Sequence, residues 1–356
     1  MTKVALITDT HYGARGDNPA LYNHFNDFMK NDFFPILDKH KIRHVIHLGD
    51  LVDKRKQISF KTANELRKNF INPCMNRGIH LDILVGNHDI PFKNTNDVNA
   101  IEELYGNYQY IKIYKNPVEM VVGGNPCVFL PWINKENITD TLTILNQSPA
   151  RYVFGHLELV GFQMHKGNVC THGMESNLFK KFDTVFTGHF HHKSSVGNIE
   201  YLGAPYEMIW SDYNDPRGFH ILDLDSGKLE FIQNKNSIFH KLYFDGTNAD
   251  ASLLLDTDYS YLQEKYVRLI VNNTENAIIL DSLIQKIQEV NPIDLQIIDE
   301  SIDFVVDKNV ELTEEEQDDT KTVISACVDS IDTKIDKEKI KNKLIELYNI
   351  ASKVEI

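Results

Sequence analysis

Residues 4–11 read VALITDTH: five residues suited to a buried strand, then an aspartate and a histidine two positions apart. The same grammar recurs four times. HVIHLG (44–49) runs into Asp50 and Asp53, and LDILVG (81–86) into Asn87, His88 and Asp89. YVFG (152–155) precedes His156, and TVFTG (184–188) precedes His189 and His191. Short apolar runs bounded by Gly, Asp and Asn predict buried strands. Ligands of open α/β sheets gather beyond the carboxyl ends of the strands. Every polar residue named here can therefore converge on one edge.

Working outward, YIKIY (110–114) and CVFLPW (127–132) predict further strands, and residues 20–40 and 60–71 predict helices. Pro35 and Pro73 are expected to kink or end those helices, because proline lacks the N–H and crowds the preceding turn. Residues 217–234 predict a hairpin turning at Asp225-Ser226-Gly227. The fold class is α/β (α+β), a mixed sheet or two stacked sheets with helices outside. The pattern changes near 241. A strand (265–271), a helix (275–290) and a strand (295–299) make a small β-α-β unit. The acidic run 307–319 reads as a linker, and helices are expected near 320–333 and 336–352. The expected division is a catalytic domain at 1–240, a capping domain at 241–306, the linker, and a helical tail at 320–356.

The formal net charge is −14, which argues against a broadly basic polyanion-binding surface. Nucleic-acid binding would have to rest on local charge and on bound cations. No run approaches the ~18 apolar residues of a membrane span. The start, MTKVALITDTH, lacks a signal-peptide core. None of Cys74, Cys127, Cys170 and Cys327 forms a CxxC pair, so a reducing, cytoplasmic setting is expected.

The residue types suit two adjacent divalent cations. Aspartate supplies a charged oxygen able to bridge two ions, neutral histidine a nitrogen and asparagine a carbonyl oxygen. A mixed N/O set without thiolates points to Mn2+, with Fe or Zn as alternatives, rather than Mg or Ca. Such a pair binds a phosphate, acidifies water and stabilises the displaced oxygen. Singly, DxH or GD is weak and GNHD could be a plain turn. All five together, each after a strand, make a purely structural origin remote.

This order, D-x-H, G-D-x-x-D, G-N-H-D, G-H and G-H-x-H across residues 9–191, resembles the calcineurin-like metallophosphoesterases. The resemblance implies a two-sheet sandwich flanked by helices. It implies that Asp9, His11, Asp50 and His191 hold one ion, and that Asp50, Asn87, His156 and His189 hold the other. His88 would contact the phosphate and protonate the leaving oxygen, with Asp89 orienting it. His165 and His172 lie near His156 in sequence, but only His156 directly ends a strand. Asp53 is either an outer partner of His11 or His191 or a loop carboxylate. Archaeal and eukaryotic members commonly carry His there, which leaves its contribution open.

Within the superfamily, three features resemble SbcD-type nucleases: Lys54, Arg55 and Lys56 just beyond a motif as DNA contacts, the small β-α-β module, and the helical tail. GHLELVGF and the Asp-Pro-Arg-Gly run at 215–218 are similar to recombination nuclease subunits of T-even-type bacteriophages. The implied activity is exonuclease and single-strand endonuclease cleavage of DNA. The implied partner is an SbcC-type coiled-coil ATPase, within a heterotetramer built on a homodimer. The tail offers two apolar stripes at helical spacing for that ATPase, Val323, Ile324, Cys327 and Ile331, then Ile340, Leu344, Leu347 and Ala351. A phosphoesterase for small molecules or proteins is the alternative enzyme. A DNA-end-binding scaffold is the alternative outside catalysis.

Overall fold

The computed structural model describes residues 2–165, 168–248, 251–300, 324, 325, 327–329 and 336–351. The chain divides into two compact units. The first comprises Met1–His240, Tyr259–Val267 and Ile287–Leu295; the second comprises Lys241–Asp258, Arg268–Lys286 and the described residues from Gln296 onward.

The first unit carries strands β1 (Lys3–Ile7), β2 (His44–His47), β3 (His80–Leu84), β4 (Ile111–Tyr114), β5 (Val118–Val122), β6 (Asn125–Leu130) and β7 (Tyr152–His156). After these come β8 (Gln163–His165), β9 (Asn168–Val169), β10 (Thr184–Gly188), β11 (Ser194–Val196), β12 (Ile199–Tyr201), β13 (Gly218–Asp223) and β14 (Lys228–Gln233). One six-stranded sheet has the order β14-β13-β1-β2-β3-β4, and the other has β11-β12-β10-β7-β6-β5. In the first, β1 to β4 are parallel and β13 and β14 antiparallel; in the second, β12, β10, β7 and β6 are parallel and the edge strands β11 and β5 antiparallel. The expected sandwich is present, and so is the hairpin, as β13–β14.

Alternation along the strands sorts side chains into layers. Val4, Leu6, Ile46 and Leu84 pack with Phe129, Phe154 and Phe186 as the core between the sheets. Ala5, Ile7, Val45, Leu81 and Ile83 face the other way, onto Phe25, Phe28, Phe33 and Phe70 of the covering helices. Val128, Val153 and Val185 pack beneath Leu145 and Phe179 on the outer face of the second sheet.

The prolines do not end their helices. Residues 19–39 and 60–76 run on as continuous helix, and each passes through a π turn, Met29–Phe33 and Arg67–Ile71, just before Pro35 and Pro73. There the N–H of Phe34 reaches Met29 and that of Asn72 reaches Arg67, five residues back. The wider turn removes the carbonyl that the proline ring would otherwise strike.

The second unit holds most of a three-stranded sheet, β15 (Phe239–Asp245), β16 (Tyr266–Asn273) and β17 (Asp294–Asp299), in the order β15-β16-β17, with a helix at Ala277–Glu289. A helix at Lys337–Ala351 carries Ile340 half-buried and Leu344 and Leu347 40% and 50% exposed. Ile324 and Cys327 are helical, half-buried and exposed respectively. The linker 307–319, Val323 and Ile331 lie outside the described residues. Among the described residues, no helix is long and apolar enough to cross a membrane.

Candidate metal centre

The five motif loops leave the carboxyl ends of β1, β2, β3, β7 and β10 and meet. The first two are laced together: Asp9 N–H donates to the Gly49 carbonyl at 3.0 Å, and His11 N–H to that of Asp50 at 3.1 Å. Asp9, His11, Asp50 and His189 all have positive φ, 51°, 42°, 54° and 85°. Non-glycine residues held there are strained, and such residues gather at functional sites. Gly49 sits at φ 100°, where a side chain would strike the His156 ring. Gly86 lets its loop lie directly against Asp50.

Two adjacent groups of donor atoms result. In the first, Asp9, His11 and His191 converge, with the two Nε2 atoms of His11 and His191 facing at 3.1 Å. In the second, Asp50, His156 and His189 converge. Asn87 Oδ1 lies 2.9 Å from both His156 Nε2 and His189 Nδ1. Asp50 Oδ2 stands between the groups, 3.7 Å from His11 Nε2 and 3.3 Å from His156 Nε2. Asp9, Asp50 and His156 are almost wholly buried.

The donor chemistry fits cations. His156 Nδ1 donates to the Leu48 carbonyl at 2.7 Å, so in the neutral ring Nε2 carries a lone pair. That lone pair faces two oxygens. Asp50 Oδ2 is buried and accepts no hydrogen bond. Buried acceptors facing one another are costly unless a positive charge lies between them. The electrostatics agree. Burial alone would lower the pKa of His11, but the Asp53 hydrogen bond and the charges of Asp50, Asp53 and Asp9 raise it to about 9. His156 rises to about 9, with Asp50 overcoming burial. Burial pushes Asp9 upward, partly offset by His156.

His88 is held differently. Its N–H donates to Asp50 Oδ1 at 2.8 Å, and its Nδ1 donates to the Asp53 carbonyl at 2.6 Å, leaving Nε2 available. Burial lowers its pKa, and the charge of Arg55 adds to this. Asp89 does not orient this ring, which corrects the expectation. Its carboxylate accepts from the backbone N–H groups of Asp50, Gly86, Leu51 and Val52, at 2.9, 2.8, 3.0 and 3.1 Å. Burial and the charge of Asp50 push its pKa up to about 7, against the pull of the backbone donors of Gly86 and Val52, and the carboxyl ties the second loop to the third.

Asp53 lies beside His11, its Oδ1 3.5 Å from Nδ1. Lys54 and Lys56 are exposed; Arg55 is half-buried, its Nε without a hydrogen-bond partner. His172 pairs instead with Glu158, at 3.3 Å.

Four residues escaped the sequence reading. Glu158 Oε1 lies 3.8 Å from His189 Nε2, a carboxylate placed to fix that ring. Trp132 forms a wall, its ring 5.0 Å from that of His189. Tyr206 hydroxyl donates to the Thr10 carbonyl at 2.7 Å. Arg217 Nη1 donates to the His191 carbonyl, while Nη2 is held by Asp212 and Asp215, each at 2.8 Å. Asp215 also meets His192 Nδ1 at 2.9 Å. The run 215–218 therefore anchors the His189–His192 loop, a job that contacts spanning 23 and 26 residues hide and only the pairing of Asp with Arg hints at.

Known proteins agree with the expected family. Residues 2–193 match the model for the calcineurin-like phosphoesterases. Exonuclease subunit 1 of Enterobacteria phage T4 is 30% identical over 297 residues, 82% of this chain and 85% of that protein. The SbcD subunit of the SbcCD nuclease of Staphylococcus epidermidis is 33% identical over 58 residues, 16% of each chain. Its counterpart in Staphylococcus saprophyticus is 27% identical over 93 residues, 24% of this chain and 25% of that one. With more than half of its residues matched in this way, the chain belongs to the calcineurin-like phosphoesterase family.

Proposed function

We propose that the chain is a metal-dependent nuclease subunit, cleaving phosphodiester bonds at DNA ends and in single strands. The observation that carries this is the pair of adjacent donor groups sharing Asp50, in a chain alignable over most of its length with an exonuclease subunit. Asp9, His11, Asp50 and His191 would hold one divalent ion, and Asp50, Asn87, His156 and His189 the other, Mn2+ in the first instance. Those ions would supply Lewis acidity and acidified water at neutral pH.

The protein groups do the rest. His88 Nε2 donates a proton to the leaving oxygen, its ring held by the Asp53 carbonyl. Its low pKa makes it a ready proton donor once charged by the phosphate beside it. Arg55, close enough to influence His88, binds the scissile phosphate, with Lys54 and Lys56 holding the strand beyond. In this reading residues 241–306 face DNA as a cap, and the exposed stripe of Ile340, Leu344 and Leu347 docks on a coiled-coil ATPase of the SbcC type. Such a machine works in the cytoplasm, where DNA and ATP are at hand.

The test is purified chain with Mn2+ and end-labelled duplex or single-stranded DNA, beside a small bis-aryl phosphodiester. Asp50→Ala should abolish hydrolysis and lower metal content together. His88→Ala should keep the metal and lose roughly 10²–10⁴-fold in turnover. Cleavage of the small ester with none of either DNA would move the reading to a small-molecule phosphoesterase. Truncation after residue 306 should spare the ester and abolish capture of the ATPase.

A further inference from the structure

A second constellation of metal-binding side chains lies at the other end of the first sheet, where β2 and β3 begin. His44 and His80 open these strands and pair directly across the parallel ladder. Asp82 is two residues further along β3, so its side chain leaves the same face as that of His80. Its carboxylate is fully buried, whereas the His44 and His80 side chains are 23% and 44% exposed. The carboxylate is thus a floor and the two imidazoles a rim open to solvent. His44 Nε2 lies 2.6 Å from Oδ2 and His80 Nε2 3.2 Å from Oδ1. The ligating atoms of all three residues fall within 4.8 Å of one another. None of the three takes part in the phosphoesterase centre.

We propose that His44, His80 and Asp82 form a peripheral site for a divalent ion of the zinc class, separate from the phosphoesterase centre. Two imidazole nitrogens and one carboxylate oxygen make a ligand set for Zn2+ or Co2+, with the open positions left to water. Tyr114 hydroxyl donates to Asp82 Oδ1 at 3.0 Å, the outer hydrogen bond that fixes a ligating carboxylate. Charge supports the assignment. Each oxygen of the fully buried Asp82 carboxylate faces an imidazole nitrogen of the rim. A buried anion needs a positive partner. The nearby cation, Lys112, pairs with Asp82 across β3 and β4, yet its Nζ lies 5.2 Å over the Tyr114 ring. A divalent ion between the two imidazoles supplies the charge directly.

The proposal stands whether or not the chain cleaves DNA, and one titration separates the two questions. Chelator-stripped full-length chain is titrated with Co2+ at neutral pH, following bound metal, visible absorption and small-diester hydrolysis together. Uptake should continue by one ion per chain after hydrolysis has saturated. A chain carrying His44→Asn and His80→Asn should bind one ion fewer and lose the matching absorption, with hydrolysis within about two-fold of the parent, as expected of distant sites. Asp50→Asn should keep this ion while losing hydrolysis. If the double variant does not fold, His80→Asn alone carries the comparison, since its side chain reaches solvent. Uptake in the parent chain that stops when hydrolysis saturates, or equal ion counts in parent and variant, overturns the site and leaves a hydrogen-bonded trio sharing protons.

Discussion

The carboxylate of Asp89 holds the backbone N–H of Asp50, 39 residues earlier, at 2.9 Å. With three further N–H groups on the same carboxylate, one motif loop is pinned to another through the residue that stands between the two donor groups. Asp89→Asn keeps the size but turns one acceptor into a donor facing N–H groups. Metal affinity and turnover should fall together, each by roughly 10–100-fold. Metal titration and initial rates check this. Lost turnover with unchanged metal affinity would instead make Asp89 a partner of His88.

Arg217 should matter to the centre without touching substrate. Its guanidinium is 4% exposed and bridges Asp212, Asp215 and the His191 carbonyl. Arg217→Met takes the guanidinium from both carboxylates, leaving Asp215 to His192 and Asp212 to the N–H groups of Met208 and Ile209, so stability should drop by about 3 kcal/mol. Among folded molecules, metal affinity should fall while KM for a small diester holds. Denaturant melts with and without Mn2+ read both. A variant that loses stability with full metal affinity would confine Arg217 to the fold.

Replacing Lys54, Arg55 and Lys56 with Ala should weaken DNA cleavage and flatten its salt dependence, because each phosphate contact releases counterions. Small-diester hydrolysis should lose less, and Arg55→Ala should account for most of that loss. Equal losses on both substrates would assign the run to folding.

His220 on β13 gives a pH prediction. It is buried with neither ring nitrogen hydrogen-bonded, and burial, with the charge of Lys193, lowers its pKa to about 3. The folded pKa is depressed, so this residue withdraws stability as pH falls from the usual 6.5 toward 3, when only the unfolded chain takes up the proton. His220→Leu should therefore stabilise the chain by roughly 2 kcal/mol more at about pH 5 than at about pH 8. Urea melts at the two values decide it, and an equal gain at both would refute the titration.

The motif loops were legible because each puts a polar residue directly after a strand, and strand runs such as YVFG and TVFTG are unbroken. Their relation to one another was not. The partners of Asp89 are backbone N–H groups, which any sequence supplies, so nothing in GNHD distinguishes a loop clamp from a partner of His88. β5, Val118–Val122, escaped notice because it is an antiparallel edge strand whose alternate residues reach solvent and whose apolar run, interrupted by Glu119, is only three residues long. The helices were found and their passage through Pro35 and Pro73 was not, since a π turn depends on one displaced hydrogen bond and leaves the apolar spacing intact. Glu158 and Trp132 could be placed only by the stacking of the second sheet.

The donor residues run from Asp9 to His191 and are drawn from both sheets, and Arg217 secures the last loop from further on still. The two-ion centre proposed above is therefore complete only once some 220 residues have left the ribosome and β13 has paired with β1. In that reading cleavage waits on the fold, since a chain cut short before His189 lacks a donor in each of the two groups.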